Sequence, residues 1–314
     1  MSVVRTQGLR KTFGSVRALD GLDLTVEPGT VFGFLGPNGA GKTTTIRILA
    51  GLARPTSGRA LVLGEDIATA RRAVAGRIGY LPEEPALYPW MTACELLDYI
   101  GRVFGLATGE REARTKELLD LVGLTQASGR RIGGFSRGMR QRLGLAQALV
   151  NRPEVLFLDE PLSAFDPAGR KEALELIGRL RGRCTVFMST HILTDVERVC
   201  DTVGVINHGR MVVEAQREEL IARYAVPVFR IEADSGSVGQ ITAWAETLRA
   251  LSWVTAVSVD GTTARVVVNN VETAKKELLA LAVQARLVLT LYEMVRPSLE
   301  DVFLQLVGEG KEAE

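Results

Sequence analysis

The sequence predicts an α/β domain with a helical insert, followed by a small α+β domain. Two patterns carry this prediction. A glycine-rich stretch, GPNGAGKTT at 36–44, lies between an apolar run and a helical run, which is the order of strand, loop and helix in an α/β unit. From about Val226 onwards a second pattern of strands and helices begins, as expected of a separate domain.

The stretch 36–44 matches the phosphate-binding pattern G-x-x-x-x-G-K-[ST]. The apolar run 31–35 before it predicts a buried strand, and the run through Ile46, Ile48 and Leu49 after it predicts a helix. Strand, glycine-rich loop and helix form the context that the motif requires. An ordinary glycine-rich turn is the alternative, and the spacing and the context together disfavour it.

The loop has a predicted role in binding phosphate. Its glycines can take positive φ and carry no Cβ atoms, so the backbone N–H groups can converge on phosphate oxygens at a helix N-terminus. Lys42 would neutralise the β- and γ-phosphates, and the Thr43 hydroxyl would ligate Mg²⁺. The predicted nucleotide contacts in the loop are Gly36, Pro37, Asn38, Gly39, Ala40, Gly41, Lys42, Thr43 and Thr44.

Length, net charge and cysteine content limit the classes of protein to which the chain could belong. A length of 314 residues suggests one large and one small domain, and a net charge of +1 gives no reason to expect nucleic acid as a partner. Three cysteines without a C-x-x-C pair suit a reducing compartment. We find neither a signal peptide nor a run approaching the roughly 20 apolar residues of a membrane span. We therefore expect a soluble, cytoplasmic protein.

Residues 91–134 predict the helical insert. Thr92 with Glu95 fits a capping box, and a second amphipathic helix is predicted at 113–122. The apolar residues behind the capping box fall on one helical face and are Leu96, Leu97, Ile100, Val103 and Phe104. After the insert, Ser136 fits the N-cap of another helix, and Gly138 in its first turn leaves that helix end open to close approach.

Two acidic residues follow the uninterrupted apolar run 155–158, which predicts a strand buried in a parallel sheet. Asp159 and Glu160 would lie where ligands bind in open α/β sheets, and adjacent acids there are costly unless a metal, a proton or a cation compensates them. A solvated turn is the alternative.

Another strand, 185–188, leads to His191. A lone histidine after a strand is usually structural, but this one follows the same kind of sheet edge. A helix is predicted at about 170–181 between the two strands.

Phe13 lies just before the flexible pair Gly14-Ser15. An aromatic ring at this place could stack on an adenine ring. It could equally be an ordinary core or edge phenylalanine, and its position in the sequence leaves the two interpretations even.

The segment after about Val226 alternates in the order β-α-β-β-α-β, which is the split, ferredoxin-like arrangement. A closing helix is predicted at 297–307. We place the domain boundary between 224 and 225, so that the second domain is 225–314. It contains no catalytic constellation, and we interpret it as a packing, dimerisation or regulatory module.

The phosphate loop, the SRGMRQR helix, the LFLDE strand end and His191 occur in one order. Together they resemble the nucleotide-binding subunit of an ABC (ATP-binding cassette) transporter over residues 1–224, which implies a P-loop NTPase cassette. FSRGM departs from the usual LSGGQ, chiefly at Arg137 and Met139, but keeps Ser136 and Gly138. Glu83 stands where the family usually has a glutamine.

The resemblance implies Mg²⁺-dependent ATP hydrolysis with residues in named roles. Lys42 and the loop amides would hold the phosphates, and Thr43, Asp159 and Glu83 would hold Mg²⁺. Glu160 would orient or deprotonate the attacking water, and His191 would contact the γ-phosphate. In this family the signature helix of one subunit, here with Ser136 and Gly138, closes over ATP held by another. The resemblance therefore implies a homodimer, or a pair of cassettes, with sandwiched ATP.

The segment PSLEDVFLQLVG at 297–308 looks like that of bacterial exporter subunits. Those work on the cytoplasmic face of the membrane with a separate integral permease, and often export drugs, lipids or polysaccharides. We expect the surface that couples to the permease near 83–91, with Tyr88 and Trp90.

A soluble ABC ATPase acting on ribosomes or DNA is the rival hypothesis. The chain lacks the second cassette, the coiled coil or the basic stripe that is usual in such proteins. A regulator that binds ATP without hydrolysis is disfavoured by Glu160.

Overall fold

A computed structural model describes residues 2–223 and 227–295. The chain divides into two compact units between Arg217 and Glu218, whereas the sequence pattern placed the boundary at 224/225. Each unit has its own hydrophobic core. The predicted closing helix at 297–307 and the exporter-like segment at 297–308 lie outside the described residues.

The first unit is an alternation of strands and helices with a helical insert. Its elements, in chain order, are β1 (Val4–Phe13), β2 (Val16–Val26), β3 (Val31–Leu35), α1 (Lys42–Leu49), β4 (Ser57–Val62), β5 (Glu65–Asp66), α2 (Arg71–Ala75), β6 (Ile78–Leu81), α3 (Ala93–Val103), α4 (Thr108–Leu121), α5 (Arg137–Ala148), β7 (Val155–Leu158), α6 (Pro167–Arg179), β8 (Thr185–Thr190), α7 (Leu193–Val199), β9 (Thr202–Asn207) and β10 (Arg210–Gln216). Helix α8 (Arg217–Arg223) follows at the division between the units.

A six-stranded sheet with the order β10-β9-β3-β8-β7-β6 forms the centre of the first unit. Its strands are parallel apart from the edge strand β10. Every residue of β3, β7 and β8 is buried, which explains the apolar runs of β3 and β7 and the apolar middle of β8. The ring of Phe187 lies 5.1 Å from Phe32, 5.2 Å from Phe34 and 5.9 Å from Phe157 between centroids. These rings fix the middle of the sheet.

A smaller antiparallel sheet has the order β2-β1-β4-β5. Strands β1 and β2 form a hairpin in which Phe13 pairs with Val16. The two-residue turn between them is Gly14-Ser15, and Gly14 takes the positive φ of +56° that a tight hairpin turn requires. The hairpin therefore presents Phe13 at its tip.

The helical insert has the predicted capping box and an apolar face that is only partly buried. The capping box of Thr92 and Glu95 is formed at the start of α3. Helix α4 begins earlier than the predicted 113. Leu96 and Leu97 are buried, but Val103 is 65% and Phe104 41% exposed. The apolar face of α3 is therefore covered only in part, because helical periodicity defines a face without showing how far the neighbouring elements cover it.

Helix α6 begins three residues before the predicted start at 170. The side chain of Asp166 accepts a 2.9 Å hydrogen bond from the N–H of Gly169, and Pro167 occupies the first helical turn. An N-cap aspartate followed by proline is a strong start signal. The signal was present in the sequence, and the prediction missed it.

The second unit is a ferredoxin-like α+β domain, as the sequence predicted. Its elements are β11 (Val228–Ala233), α9 (Val238–Leu248), β12 (Val254–Asp260), β13 (Thr263–Val268), α10 (Val271–Gln284) and β14 (Leu289–Val295). The strands form an antiparallel sheet with the order β12-β13-β11-β14. Its core includes the buried side chains of Phe229, Trp244 and Leu278. Among the described residues of the whole chain, no helix is long and apolar enough to span a membrane.

We expect the two units to unfold independently, because each has its own core. Of the three tryptophans, Trp244 is 3% exposed in the second unit and Trp90 is 65% exposed in the first. In urea, tryptophan fluorescence should therefore follow the second unit, while far-ultraviolet circular dichroism follows both. The two signals should have different midpoints, and a chain ending at Arg223 should keep one cooperative transition. Coincident midpoints together with an unfolded shorter chain would contradict this expectation.

Candidate functional site

The carboxyl ends of four parallel strands meet at one edge of the central sheet. Leu35 of β3 lies opposite Thr190 of β8, and Leu158 of β7 lies opposite both Met188 of β8 and Leu81 of β6. The chain therefore leaves these strands side by side, at the edge where open α/β sheets bind ligands. The segments that follow contain the phosphate loop, Glu83, the pair Asp159-Glu160, and His191.

The phosphate loop passes from β3 into α1, which begins at Lys42. Gly39 has a φ of +82° and Gly41 a φ of +111°, so both use the conformational freedom of glycine. Gly36 does not take positive φ and is needed for a different reason. A Cβ there would lie 2.4 Å from the carbonyl oxygen of Ile206, so close approach of β9 is the reason for glycine at this position.

Lys42 is held inside the loop. Its Nζ donates hydrogen bonds to the carbonyl oxygens of Gly36 at 2.6 Å and Pro37 at 3.2 Å. The same atom lies 3.2 Å from Oε1 of Glu160. This contact is an ion pair and not a hydrogen bond. Oε1 of Glu160 is buried and accepts no hydrogen bond from the described residues. The lysine and the glutamate thus compensate each other's buried charge.

Asp159 is 1% exposed and lies beneath the loop. Its Oδ1 accepts hydrogen bonds from the hydroxyls of Thr43 at 3.1 Å and Ser189 at 2.7 Å. Burial raises the pKa of the neighbouring Tyr80 hydroxyl, and the charge of Asp159 raises it further. The carboxylate is therefore held by hydroxyls from helix α1 and strand β8.

Glu160 is 9% exposed and has an unusual backbone conformation, with a φ of +45°. Its N–H donates a 2.9 Å hydrogen bond to Ser189 Oγ, and its Oε2 lies 3.0 Å from Nδ1 of His191. In this pairing the Nδ1–H of the imidazole donates to the carboxylate. Positive φ in a non-glycine residue is costly and concentrates at functional sites.

Ser189 is a residue that the sequence analysis missed. One hydroxyl donates to Asp159 and accepts from the backbone of Glu160, so it fixes both acids. The sequence placed it at the end of a predicted strand beside His191, but nothing local pairs it with residues 30 positions earlier. Only the register of β7 beside β8 does so.

A second missed pair joins the helices that follow these strands. Arg170 of α6 donates to both carboxylate oxygens of Asp195 of α7, at 2.8 and 2.5 Å. Asp195 is 2% exposed, and its hydrogen bonds raise the pKa of Arg170. The pair ties the segment after Glu160 to the segment after His191.

One cavity of about 430 Å³ gathers most of the predicted nucleotide site. Phe13 is 54% exposed at this cavity, so it is not a core residue. Glu83 is exposed and lines the same cavity, whereas Gly36, Ala40 and Asp159 are not part of its lining. The lining residues are Phe13, Ala18, Pro37, Asn38, Gly39, Gly41, Lys42, Thr43, Thr44, Glu83, Glu160 and His191.

Ser136 and Gly138 line a different cavity, of about 550 Å³. Ser136 caps α5 by accepting a 3.2 Å hydrogen bond from the N–H of Met139, as predicted. The two cavities share no lining residue. The structure therefore does not bring the α5 N-terminus to the phosphate loop within one chain.

The Thr43–Asp159 pair fits a magnesium ion that is shared with phosphate. Within the described ranges, no group of three or more His, Cys, Asp and Glu residues could hold a metal ion. Mg²⁺ is usually bound by one or two carboxylates together with substrate phosphates and water. A hydroxyl and a carboxylate beside a phosphate loop supply that kind of partial ligand set.

Two family models match the chain, one in each part. Residues 19–163 match the model described as "ABC transporter", and residues 216–307 match "ATP-binding protein DrrA1-3-like, C-terminal domain". The daunorubicin resistance ATP-binding protein DrrA3 of Streptomyces coeruleorubidus is 37% identical over 315 residues, covering 99% of this chain and 97% of its own.

The chain belongs to the ATP-binding subunits of ABC transporters.

Other comparisons agree with this assignment. The ABC transporter ATP-binding protein YxlF of Bacillus subtilis (strain 168) is 38% identical over 301 residues, covering 96% of this chain and 98% of its own. A solved ATP-binding subunit of an ABC transporter superposes with a TM-score of 0.65 at 27% identity, covering 71% of this chain and 93% of that one. The predicted cassette fold is thereby confirmed, and the chain is an ATPase subunit of this family.

Proposed function

We propose that this chain binds Mg-ATP in the cavity at the phosphate loop and hydrolyses it as one of a pair of cassettes. The energy would drive export through a separate membrane permease. The single observation that carries the proposal is the convergence of Lys42, Glu160 and His191 on one cavity, with the Thr43–Asp159 pair beneath it. Positioning and electrostatic stabilisation are the main contributions that a protein makes to phosphoryl transfer.

Lys42 and the N-terminus of α1 supply the positive charge for the phosphates. The lysine is 6% exposed, so its interaction with an anion is screened less than at the surface. Thr43 and Asp159 would hold Mg²⁺, and Glu83 at the same cavity would add a further oxygen ligand. Mg²⁺ held there would neutralise charge that develops on the phosphate oxygens.

Glu160 is the candidate group for activating water. Its Oε2 is engaged by His191, while Oε1 faces only the ion pair with Lys42. When Lys42 contacts phosphate instead, Oε1 becomes free to accept a hydrogen bond from the attacking water. General-base assistance of this kind contributes about 10²–10⁴-fold to a rate.

The separate placement of the α5 N-terminus supports action in pairs. Ser136 and Gly138 lie in another cavity, so within this proposal they meet the ATP of a second subunit. A Cβ at Gly138 would lie 3.6 Å from the ring of Phe165, an ordinary contact distance. The chain's own packing therefore does not require glycine there, which suits a surface that closes on phosphate.

An exposed aromatic group supports a permease contact. The rings of Tyr88 and Trp90 lie 5.2 Å apart, and Tyr99 lies 6.2 Å from Tyr88. The three side chains are 41%, 65% and 43% exposed. Together with the exposed Val103 and Phe104 they form an apolar surface of the kind that marks interaction sites. We assign it to the permease, which would hold the subunit at the cytoplasmic face of the membrane.

The export direction rests on the relatives. DrrA3 carries the name of a daunorubicin resistance protein, and the DrrA1-3-like model matches residues 216–307 here. The rival hypothesis, an ABC ATPase that acts on a non-membrane machine, would instead give association with ribosomes or DNA. Co-purification with an integral membrane protein separates the two.

We expect Glu160→Gln to lower ATP hydrolysis by about 10²–10⁴-fold, because the amide keeps the shape but cannot act as a base. ATP-bound dimers should accumulate, which size-exclusion chromatography with Mg-ATP measures. Lys42→Ala should instead weaken ATP binding itself by about 10-fold or more through loss of a charge-assisted contact. Glu175→Gln, an equal change of charge on the exposed side of α6, is the control. Normal hydrolysis by the Glu160 and Lys42 variants would refute the site.

Gly138→Ala should leave the fold intact but lower hydrolysis by about 5- to 150-fold, the equivalent of about 1–3 kcal/mol of overpacking against phosphate. Gly109→Ala is a matched control, because Gly109 is likewise the second residue of its helix and has no atom within 4 Å of an added Cβ. Both changes should leave the free energy of unfolding within about 1 kcal/mol or raise it. Equal hydrolysis by the two variants would argue against the sandwiched arrangement.

Trp90→Ala should leave basal hydrolysis unchanged and weaken co-purification with a co-expressed permease, because exposed aromatic side chains often dominate interfaces. Val212→Ala removes an apolar side chain that is 46% exposed on β10 and serves as the control. The measurement is the ratio of the two proteins after affinity purification from membranes. An unchanged ratio for Trp90→Ala would place the permease contact elsewhere.

A further inference from the structure

A lysine lies against the aromatic ring at the tip of the β1–β2 hairpin. Lys11 and Phe13 are two positions apart in β1, so their side chains share one face of the strand. The Nζ of Lys11 lies 4.7 Å from the centroid of the Phe13 ring, within the range of a cation–π interaction. One face of the ring is thereby occupied by an ammonium group.

The ammonium group is fixed from a second direction. Lys11 is half-buried, and its Nζ donates a 2.8 Å hydrogen bond to the carbonyl oxygen of Arg54. Two further hydrogen bonds hold the adjoining backbone. The N–H of Thr56 donates to the carbonyl oxygen of Arg10 at 2.8 Å, and the N–H of Thr12 donates to the Thr56 hydroxyl at 3.0 Å. Lys11 is therefore a fixed support and not a freely moving surface lysine.

The support connects the ring to the phosphate loop. The segment 54–56 follows α1, whose first residue is Lys42 of that loop. Phe13 lines the same cavity as the loop and is 54% exposed, so about half of its side chain is not covered by the protein. The lysine both limits the motion of the ring and leaves its opposite face as the one available to a ligand.

We propose that Lys11 is a positioning residue for the nucleotide base: it holds Phe13 with a single face presented for stacking. The inference rests on the proposed function and adds to it that Phe13, which lines the ATP cavity, stacks on the adenine. A cation on one face withdraws charge from the ring, which favours stacking of an electron-rich base on the other. Lys11 acts through Phe13, so its effect is confined to ligands that carry a base.

The experiment compares Mg-ATP with inorganic tripolyphosphate, which has the phosphates but no base, by calorimetric titration of the full chain. Lys11→Met removes the cation, Lys11→Arg keeps it, and Phe13→Ala removes the ring. Arg17→Met is the matched control, because Arg17 is 64% exposed on the neighbouring strand and carries an equal charge. Thermal unfolding of each variant checks that the hairpin remains folded.

Phe13→Ala should weaken ATP binding by about 5- to 150-fold, the range for loss of one stacked base. Lys11→Met should weaken it by about 2- to 5-fold, the range for an exposed cation–π contact, and Lys11→Arg should restore it. The double variant, Lys11→Met with Phe13→Ala, should bind ATP no more weakly than Phe13→Ala alone, since the lysine acts through the ring. Tripolyphosphate binding should be the same in all variants.

Any of four results would overturn the inference. Unchanged ATP binding by Lys11→Met would leave the lysine without a role, and an equal loss for ATP and tripolyphosphate would reduce it to a distant charge, as would an equal loss with Arg17→Met. Additive losses in the double variant would separate the lysine from the ring. Failure of the proposed function is distinguishable, because the unaltered chain would then bind neither ligand.

Discussion

The hydroxyl of Ser189 donates to Oδ1 of Asp159 and accepts from the N–H of Glu160, and the candidate site depends on this bridge. Two adjacent carboxylates at the end of a buried strand are costly, and removing one partner of a buried charged pair costs about 3–5 kcal/mol. Hydrogen bonds to charged groups contribute about 1.5–3 kcal/mol each. The hydroxyls on Asp159 and the contacts of Glu160 with Lys42 and His191 are therefore what allows the two acids to stay where they are.

The same contacts support the roles that we propose for the two acids. Asp159 is buried, and its Oδ1 accepts a hydrogen bond from the Thr43 hydroxyl, an arrangement that suits a metal ligand. Glu160 reaches the cavity and keeps one oxygen that accepts no hydrogen bond in the described part of the chain, which suits a group that must receive a proton. Under our proposal the two neighbouring carboxylates take different roles, since their side chains contact different sets of partners.

Gly36 and Gly41 of the phosphate loop and Gly138 of α5 serve different physical needs. Gly41 has a φ of +111° and an added Cβ would lie 2.7 Å from the carbonyl of Ala18, so the chain's own fold demands glycine. Gly36 is required by the approach of β9, again from within the chain. Gly138 is required by neither constraint. In our proposal glycine is required at position 138 by the ATP of a second subunit. We therefore interpret the second cavity as half of a shared site.

The sequence by itself determined the elements whose signals are local. The phosphate loop, the caps at Thr92 and Ser136, the buried runs of the central sheet and the β-α-β-β-α-β order of the second unit each depend on residues within a few positions of one another. Glycine freedom, capping and periodicity act over that range, so they can be read without a fold.

Only the tertiary structure decided the rest. The Ser189 bridge, the Arg170–Asp195 pair and the Lys11–Arg54 contact join residues about 25 to 43 positions apart. The exposure of Val103 and Phe104, and the separation of Ser136 from the phosphate loop, depend on which elements lie beside them. Strand order and register set these neighbours, and they follow from burial of the whole core, which no short stretch of sequence encodes.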